Sequence, residues 1–272
     1  MAIKKPVGTV TRGTTNPNRL RRIDRFVVAQ RILRTEAAPI LVDLGYGASP
    51  ITAVELSARA RAVNPAAQLV GVEIERERVN RGLAVATDYL HFALGGFEVP
   101  LPNPPFAPGQ KVHLIRAFNV LRQYSEAEVP AAWGLMCSRL APGGLLIEGT
   151  CDEIGRLASW VTLDSEGPQT FTISLRLNGL ELPSKVAERL PKALIHHNLP
   201  GESIHEYLQA IDAAWRLHSP LATFSAIQRW VAACETLVQQ GWPVVVDRKR
   251  WRLGELTVAW AAVEPKTAAP TK

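Results

Sequence analysis

Two kinds of residue in this chain are placed where they can do chemistry. One is a glycine-rich turn: the apolar run Pro39–Leu44, carrying Asp43, leads into Gly45-Tyr-Gly-Ala-Ser-Pro50. Glycine reaches positive φ and has no Cβ, so Gly45 and Gly47 can bring the backbone close to a ligand. Ser49 can cap the helix that follows and Pro50 suits its first position. The turn therefore leaves backbone N–H donors free at the strand end, where a ligand with partial negative charge or hydroxyls can dock. The other kind is ionisable. Glu73 closes the next apolar run, and His196, His197 and His205 carry imidazoles that titrate near neutrality and can take a proton from a hydroxyl or an acid. Arg122 and Tyr124 follow a third apolar run, on the side of an open α/β sheet where ligands bind. Solvated histidines and ordinary surface residues are the plain alternatives; His205 falls one residue after Ile204, off its apolar stripe.

The elements that must hold these residues alternate. A strand over 39–44 precedes a helix with Ile51, Val54 and Ala58 on one face. A strand over 68–74 precedes a helix marked by Val79 and Leu83, and after a Gly- and Pro-rich stretch at 95–110 a strand begins at Val112 and ends near Asn119. Ser125 and Glu128 have capping-box spacing ahead of a helix over 126–140, although Pro130 places its start later or kinks it. Ala141-Pro-Gly-Gly144 then turns into a strand at 145–148. This alternation predicts right-handed crossovers and a parallel sheet. Before it, Asn16-Pro17 with Leu20, Ile23 and Val27 predicts a helix to about Arg34. After it, Phe224, Ile227, Val231, Cys234 and Val238 form a helical stripe, with strands at 243–246 and 256–263. Residues 152–221 have a separate pattern: strand-like 157–163 and 171–177, then helices, the last with a Ser203/Glu206 capping box and Ile204, Leu208, Ile211 and Trp215 on one face. The expected division is a basic arm and helix at 1–39, a core at 40–151 and 222–265, and an insertion at 152–221 placed to act as an acceptor-binding lid.

The segment Leu41-Val-Asp-Leu-Gly-Tyr-Gly-Ala-Ser49 resembles motif I of class I S-adenosylmethionine-dependent methyltransferases, with Ser49 standing where the family has its third glycine. Glu73, Arg116-Ala-Phe-Asn119 and Leu140-Ala-Pro-Gly-Gly-Leu-Leu-Ile-Glu148 follow in family order. The resemblance covers residues 40–150 well and 222–263 loosely. It implies a Rossmann-like, seven-stranded, mostly parallel sheet with helices on both faces, and S-adenosylmethionine as cofactor. By position, Asp43 would serve the methionine ammonium, Gly45, Tyr46 and Gly47 the methionine and ribose, Glu73 the ribose hydroxyls, and Ile74 and Phe97 the adenine, with Arg116 and Asn119 at the next strand end. His196, His197 and Tyr124 are the candidates for a general base, although direct methyl transfer can run on positioning alone. Asn103-Pro-Pro-Phe106 is similar to the NPP[FY] motif of amino- and amide-nitrogen methyltransferases, but it precedes the Val112 strand where the family motif follows it, and it reads as a proline turn.

Composition limits the partners. The chain of 272 residues is 47% apolar and 21% charged, the balance of a packed globular protein. It has no apolar run long enough to span a membrane and no signal-like start, so a cytoplasmic protein is expected. Cys137, Cys151 and Cys234 lack disulfide or zinc spacing. The net charge of +6 is concentrated in residues 1–31, where eight Lys and Arg face Asp24 alone. Such an arm can attract phosphates, so an RNA methyltransferase stands beside a small-molecule methyltransferase. A nicotinamide oxidoreductase would want a third glycine where Pro50 stands. A cofactor-binding protein without catalysis remains an alternative, and the oligomeric state is not set by the sequence.

Overall fold

The computed structural model describes residues 6–266. Among them one sheet of eight strands runs in the order β3-β2-β1-β4-β5-β6-β7-β8. The strands are β1 (Ile40–Leu44), β2 (Gln68–Glu73), β3 (Leu90–Leu94), β4 (Val112–Phe118), β5 (Leu140–Cys151), β6 (Leu157–Asp164), β7 (Gly167–Leu175) and β8 (Glu255–Ala259). The first five are parallel. β1 is buried at every position, as a strand covered on both faces must be. The helices are α1 (Arg21–Val27), α2 (Ile32–Thr35), α3 (Ile51–Arg61), α4 (Arg76–Leu83), α5 (Val129–Cys137), α6 (Lys192–Ile195), α7 (Ser203–Leu217), α8 (Ala226–Gln239) and α9 (Arg248–Trp251). Alternate strand residues feed two cores: Leu41, Leu69 and Leu114 pack with α1, α3 and α4, while Val42, Val70 and Ile115 pack with α5, α7 and α8. The result is a Rossmann-like sheet with helices on both faces.

Several expectations need correction. The sheet has eight strands rather than seven, and β3, which the sequence reading passes over, adds the outer parallel strand. The strand pair expected within 152–221 is part of the sheet: β6 pairs with β5 and β7 with β8, all antiparallel. α7 buries Ile204, Tyr207, Leu208, Ile211 and Trp215 in the common core, so residues 152–221 share the core of the sheet. The Ser203/Glu206 capping box does not form; Glu206 pairs with Lys266 instead. The Ser125/Glu128 box does form, but over a short 3-10 turn, and α5 starts at Val129 with Pro130 in its first turn, where no N–H is needed. The helix expected from Asn16 to Arg34 is two short helices, and Asn16 donates its amide to the Glu153 carbonyl instead of capping. α8 turns Trp230, Ala233, Cys234 and Leu237 inward, leaving Ile227, Val238 and the preceding Phe224 exposed. Of the run at 243–246 only a Val244–Val258 bridge remains, and Val245 and Val246 are exposed.

One ionic network positions the strand ends. Arg116 on β4 is fully buried; its Nε donates to Asp43 Oδ1 at 3.0 Å, its Nη2 to Asp43 Oδ2 at 2.6 Å and to the Thr52 carbonyl at 3.0 Å, and its Nη1 to Asp24 on α1. Thr52 Oγ1 donates to Asp43 Oδ2 at 2.9 Å, and Arg59 on α3 pairs with Asp24 at 2.5 Å. Burial pushes the Asp24 carboxyl up to about 6 against the opposing pull of Arg116 and Arg59. Removing one partner of a buried network strands the others, so Arg116→Leu should cost about 3–5 kcal/mol in chemical denaturation. A loss below about 1 kcal/mol, the scale of an exposed pair, would show that the network holds nothing in place.

Glu148 on β5 lies fully inside the core, and burial pushes its carboxyl from 4.5 up to about 8, with the Trp133 indole acting the other way. A carboxyl whose folded value lies above its unfolded value loses stability for the fold as pH rises through that window, here from about 4.5 to about 8. Glu148→Gln should therefore raise Tm little at pH 5 and progressively more up to pH 8. A pH-independent difference would contradict this assignment.

Candidate functional site

The chain winds outward from β1 through β2 to β3, then returns to place β4 on the other side of β1. Such a reversal leaves a crevice at the carboxyl ends of the strands. A cavity of about 410 Å³ opens there, lined by Asp43, Gly45, Tyr46, Gly47 and Thr52 after β1, by Phe118, Asn119, Arg122 and Gln123 after β4, by residues 11–15 and Arg19, and by Glu153 and Arg189. Beside it a remnant of about 20 Å³ is framed by Glu73, Ile74, Gly95, Gly96, Phe97, Val120 and Tyr124, with Val7, Gly8 and Thr9.

The turn after β1 has the conformation its glycines predict. Gly45 has φ +71° and Gly47 φ +89°. A Cβ on Gly45 would stand 2.6 Å from the Val120 side chain, and one on Gly47 would stand 2.9 Å from the Gly13 carbonyl oxygen. Glu73 is buried at the end of β2, where Oε1 accepts from Gly47 N–H at 3.1 Å and from Arg78 at 2.9 Å, while Oε2 accepts from Ile74 N–H at 2.7 Å. The carboxylate thus orders both the glycine turn and the loop after β2. Asp43 is held by Arg116 and Thr52, and Arg116 is a buried support of that carboxylate. Tyr46 donates its hydroxyl to the Arg78 carbonyl at 2.9 Å. Asn119, at φ +60°, ties β4 to β5: its Oδ1 accepts from Cys151 N–H at 3.0 Å.

Residues 7–13 lie across this framework. Val7 O accepts from Phe97 N–H at 2.9 Å, and Thr9 N–H donates to the Tyr124 hydroxyl at 2.5 Å. Thr11 accepts from Arg78 through both its hydroxyl and its carbonyl, at 3.2 and 2.9 Å, and Gly13 O accepts from Ala48 N–H at 2.9 Å. Gly8 sits among Tyr124, Ile74 and Phe97, with a built Cβ 2.9 to 3.7 Å from those side chains. Ile74 and Phe97, the residues that the resemblance assigns to adenine, therefore lie side by side, and the chain's own N-terminal segment occupies the space against them. An adenosyl group entering between them would displace residues 7–11.

The structure brings together Asp43, Gly45, Tyr46, Gly47 and Asn119 on the larger cavity, and Glu73, Ile74, Phe97 and Tyr124 on the smaller. Tyr124 packs its ring on Phe97 at 5.2 Å between centroids, on the side expected for adenine rather than for an acceptor. His196 and His197 line neither cavity. His197 is buried with Nε2 2.6 Å from Glu126 Oε1 and Nδ1 3.5 Å from Glu202 Oε2, a structural clamp. His196 approaches Lys192, and His205 approaches Asn198. Phe106 of the NPPF run is buried edge-on against His91, away from both cavities. The sequence reading missed the cavity roles of Arg19, in its expected first helix, and of residues 11–15, Glu153 and Arg189, which lie on non-periodic segments; only the charge of the arm hinted at the N-terminal group.

No protein-family model and no curated protein matches the chain. Among solved structures, 49% of it is similar to 35% of human N-acetylserotonin methyltransferase in complex with SAM, at 21% identity and a TM-score of 0.34. It is also similar, over 48% of its length, to 68% of the N-methyltransferase NodS from Bradyrhizobium japonicum WM9, at 18% identity and a TM-score of 0.33. A third likeness, over 47% of the chain and 44% of the partner structure, is to the cyclase SpnF, at 22% identity and a TM-score of 0.35. The chain spans about a third of the first of these proteins. The fold assignment rests on strand order and direction.

Proposed function

We propose that this chain is an S-adenosylmethionine-dependent methyltransferase that acts on a small molecule by direct in-line displacement. The observation that carries the reading is the joint placement of the Gly45/Gly47 turn and Glu73 at the switch point of the sheet, bonded to one another through Gly47 N–H. Gly45, Gly47, Glu73, Ile74 and Phe97 would hold the cofactor, which supplies an electrophilic methyl group when bound. Glu73 accepts four hydrogen bonds, from the Gly47, Ile74 and Glu75 N–H groups and from Arg78, about as many as a carboxylate takes, so ribose hydroxyls would bind it by exchange with some of these donors. Asp43 is committed to Arg116 and Thr52 and does not serve as a base. No histidine lines the cavity. The rate then depends on how the cavity orients the acceptor and excludes water.

The RNA alternative is weakened by where the arm's charge goes. Arg19 donates to the carbonyls of Thr14 and Asp152, and Arg22 to that of Leu253, so these guanidiniums fasten the arm to its own core. Calorimetry on the purified protein should detect S-adenosylmethionine and S-adenosylhomocysteine binding in the micromolar range, about −8 kcal/mol, and no response to NAD. Binding of NAD without either sulfur nucleoside would overturn the proposal.

A further inference from the structure

The larger cavity carries more positive charge than its own chain neutralises. Arg12 and Arg19 reach it from the N-terminal segment, Arg122 from the turn after β4, and Arg189 from the 3-10 turn Pro183–Arg189. Against these four guanidiniums stand two carboxylates, Asp43 and Glu153. Asp43 already answers Arg116 inside the core, and Glu153, 65% exposed on the rim, pairs with Arg189 Nη2 at 3.2 Å. Arg19 spends its donors on backbone carbonyls. Among the described residues Arg12 makes no hydrogen bond or ion pair, and Arg122 has a single long contact, 3.4 Å to the Glu188 carbonyl. Two polar atoms of the lining are buried without any partner: Arg189 Nε and Thr15 Oγ1. The arginines also act on one another, since Arg189 and Arg12, after burial, both disfavour the Arg122 charge.

Like-charged guanidiniums gathered from three chain segments border one concave space, and among the described residues only Arg189 of them pairs with a carboxylate. We propose that this cavity binds the carboxylate or phosphate group of a small anionic acceptor, with Arg12, Arg122 and Arg189 as the recognising cations. Planar guanidinium forks match either oxyanion bidentately. That the anion belongs to the acceptor rests on the methyltransferase reading; that an anion binds does not. The cluster lies off the ends of β4 and β5, where Arg19 reaches the carbonyls of Cys151 and Asp152, whereas Glu73 and Ile74 mark the β2 side. A small ligand is favoured over RNA because the arginines gather around one open-mouthed concavity of about 410 Å³ instead of forming a stripe along the surface.

The test uses the full chain at low ionic strength, with citrate and inorganic pyrophosphate as calorimetric probes for the two oxyanions. Both the wild type and Arg248→Gln, a change on the exposed surface, should bind at least one probe alike, while Arg122→Gln and Arg189→Gln should each weaken it about tenfold or more. S-adenosylhomocysteine, which keeps the amino-acid carboxylate, should bind wild type and variants equally. Failure of the wild type to bind either probe, or equal weakening by Arg248→Gln, overturns the site. Loss of S-adenosylhomocysteine in the arginine variants would assign the cavity to the cofactor's carboxylate and overturn the acceptor assignment. A single-stranded oligonucleotide that binds more tightly than both probes through the same arginines would assign it to nucleic acid instead. If the probes bind but S-adenosylhomocysteine does not bind even the wild type, the methyltransferase reading fails and the anion site stands.

Discussion

Arg116 is fully buried and shares its guanidinium between Asp24 on the first helix and Asp43 at the end of the first strand. A cation in that position cannot be left unpaired, and neither can the carboxylates on either side of it. The consequence is geometric. The N-terminal helix is fixed beneath the strand ends, the Thr52 hydroxyl is drawn to Asp43, and the glycine turn between Asp43 and Thr52 is closed from both sides. The basic segment that precedes the helix is thereby delivered to the mouth of the crevice, where it contributes Arg12 and Arg19 to the cavity and Gly8 to the space beside Ile74 and Phe97.

The second constraint is the Glu73 carboxylate. It serves three N–H groups and Arg78 at once, and Arg78 in turn holds Thr11, so the N-terminal segment rests on the same group that would receive the ribose. Opening the proposed adenosine position would therefore exchange the contacts of residues 7–11 for those of the ligand, with the strands and the glycine turn held where the Arg116 network puts them.

The parallel half of the fold was legible because each strand there is a short apolar run closed by a residue with a distinctive role: Asp43, Glu73 and Asn119. β3 was passed over although Leu90, Phe92 and Leu94 alternate with His91 and Ala93, since a run of five residues with no Gly or Pro just before it is a weak strand signal. The β6–β7 hairpin was seen as strands but placed outside the sheet, since nothing local says that an antiparallel pair continues the sheet begun by parallel ones. Asp43 and Arg116 were both expected near the cofactor; that they neutralise each other depends on a pairing across 73 positions, and partner choice at that distance is a tertiary fact. The histidines were selected on type alone, and His197 is consumed by Glu126 and Glu202. Arg12 and Arg189 show the opposite failure: they occur on segments without periodicity, and only the fold brings them to one cavity.

The proposed adenosyl site runs across the strand ends from Gly45 to Glu73, and residues 7–11 lie over it. Site-resolved amide hydrogen exchange, with and without saturating S-adenosylhomocysteine, addresses it directly. Exchange should slow at Gly47 and Ile74 and quicken at Thr9, whose N–H would be released from the Tyr124 hydroxyl. Ligand binding that leaves all three amides unchanged would place the cofactor elsewhere and contradict the account.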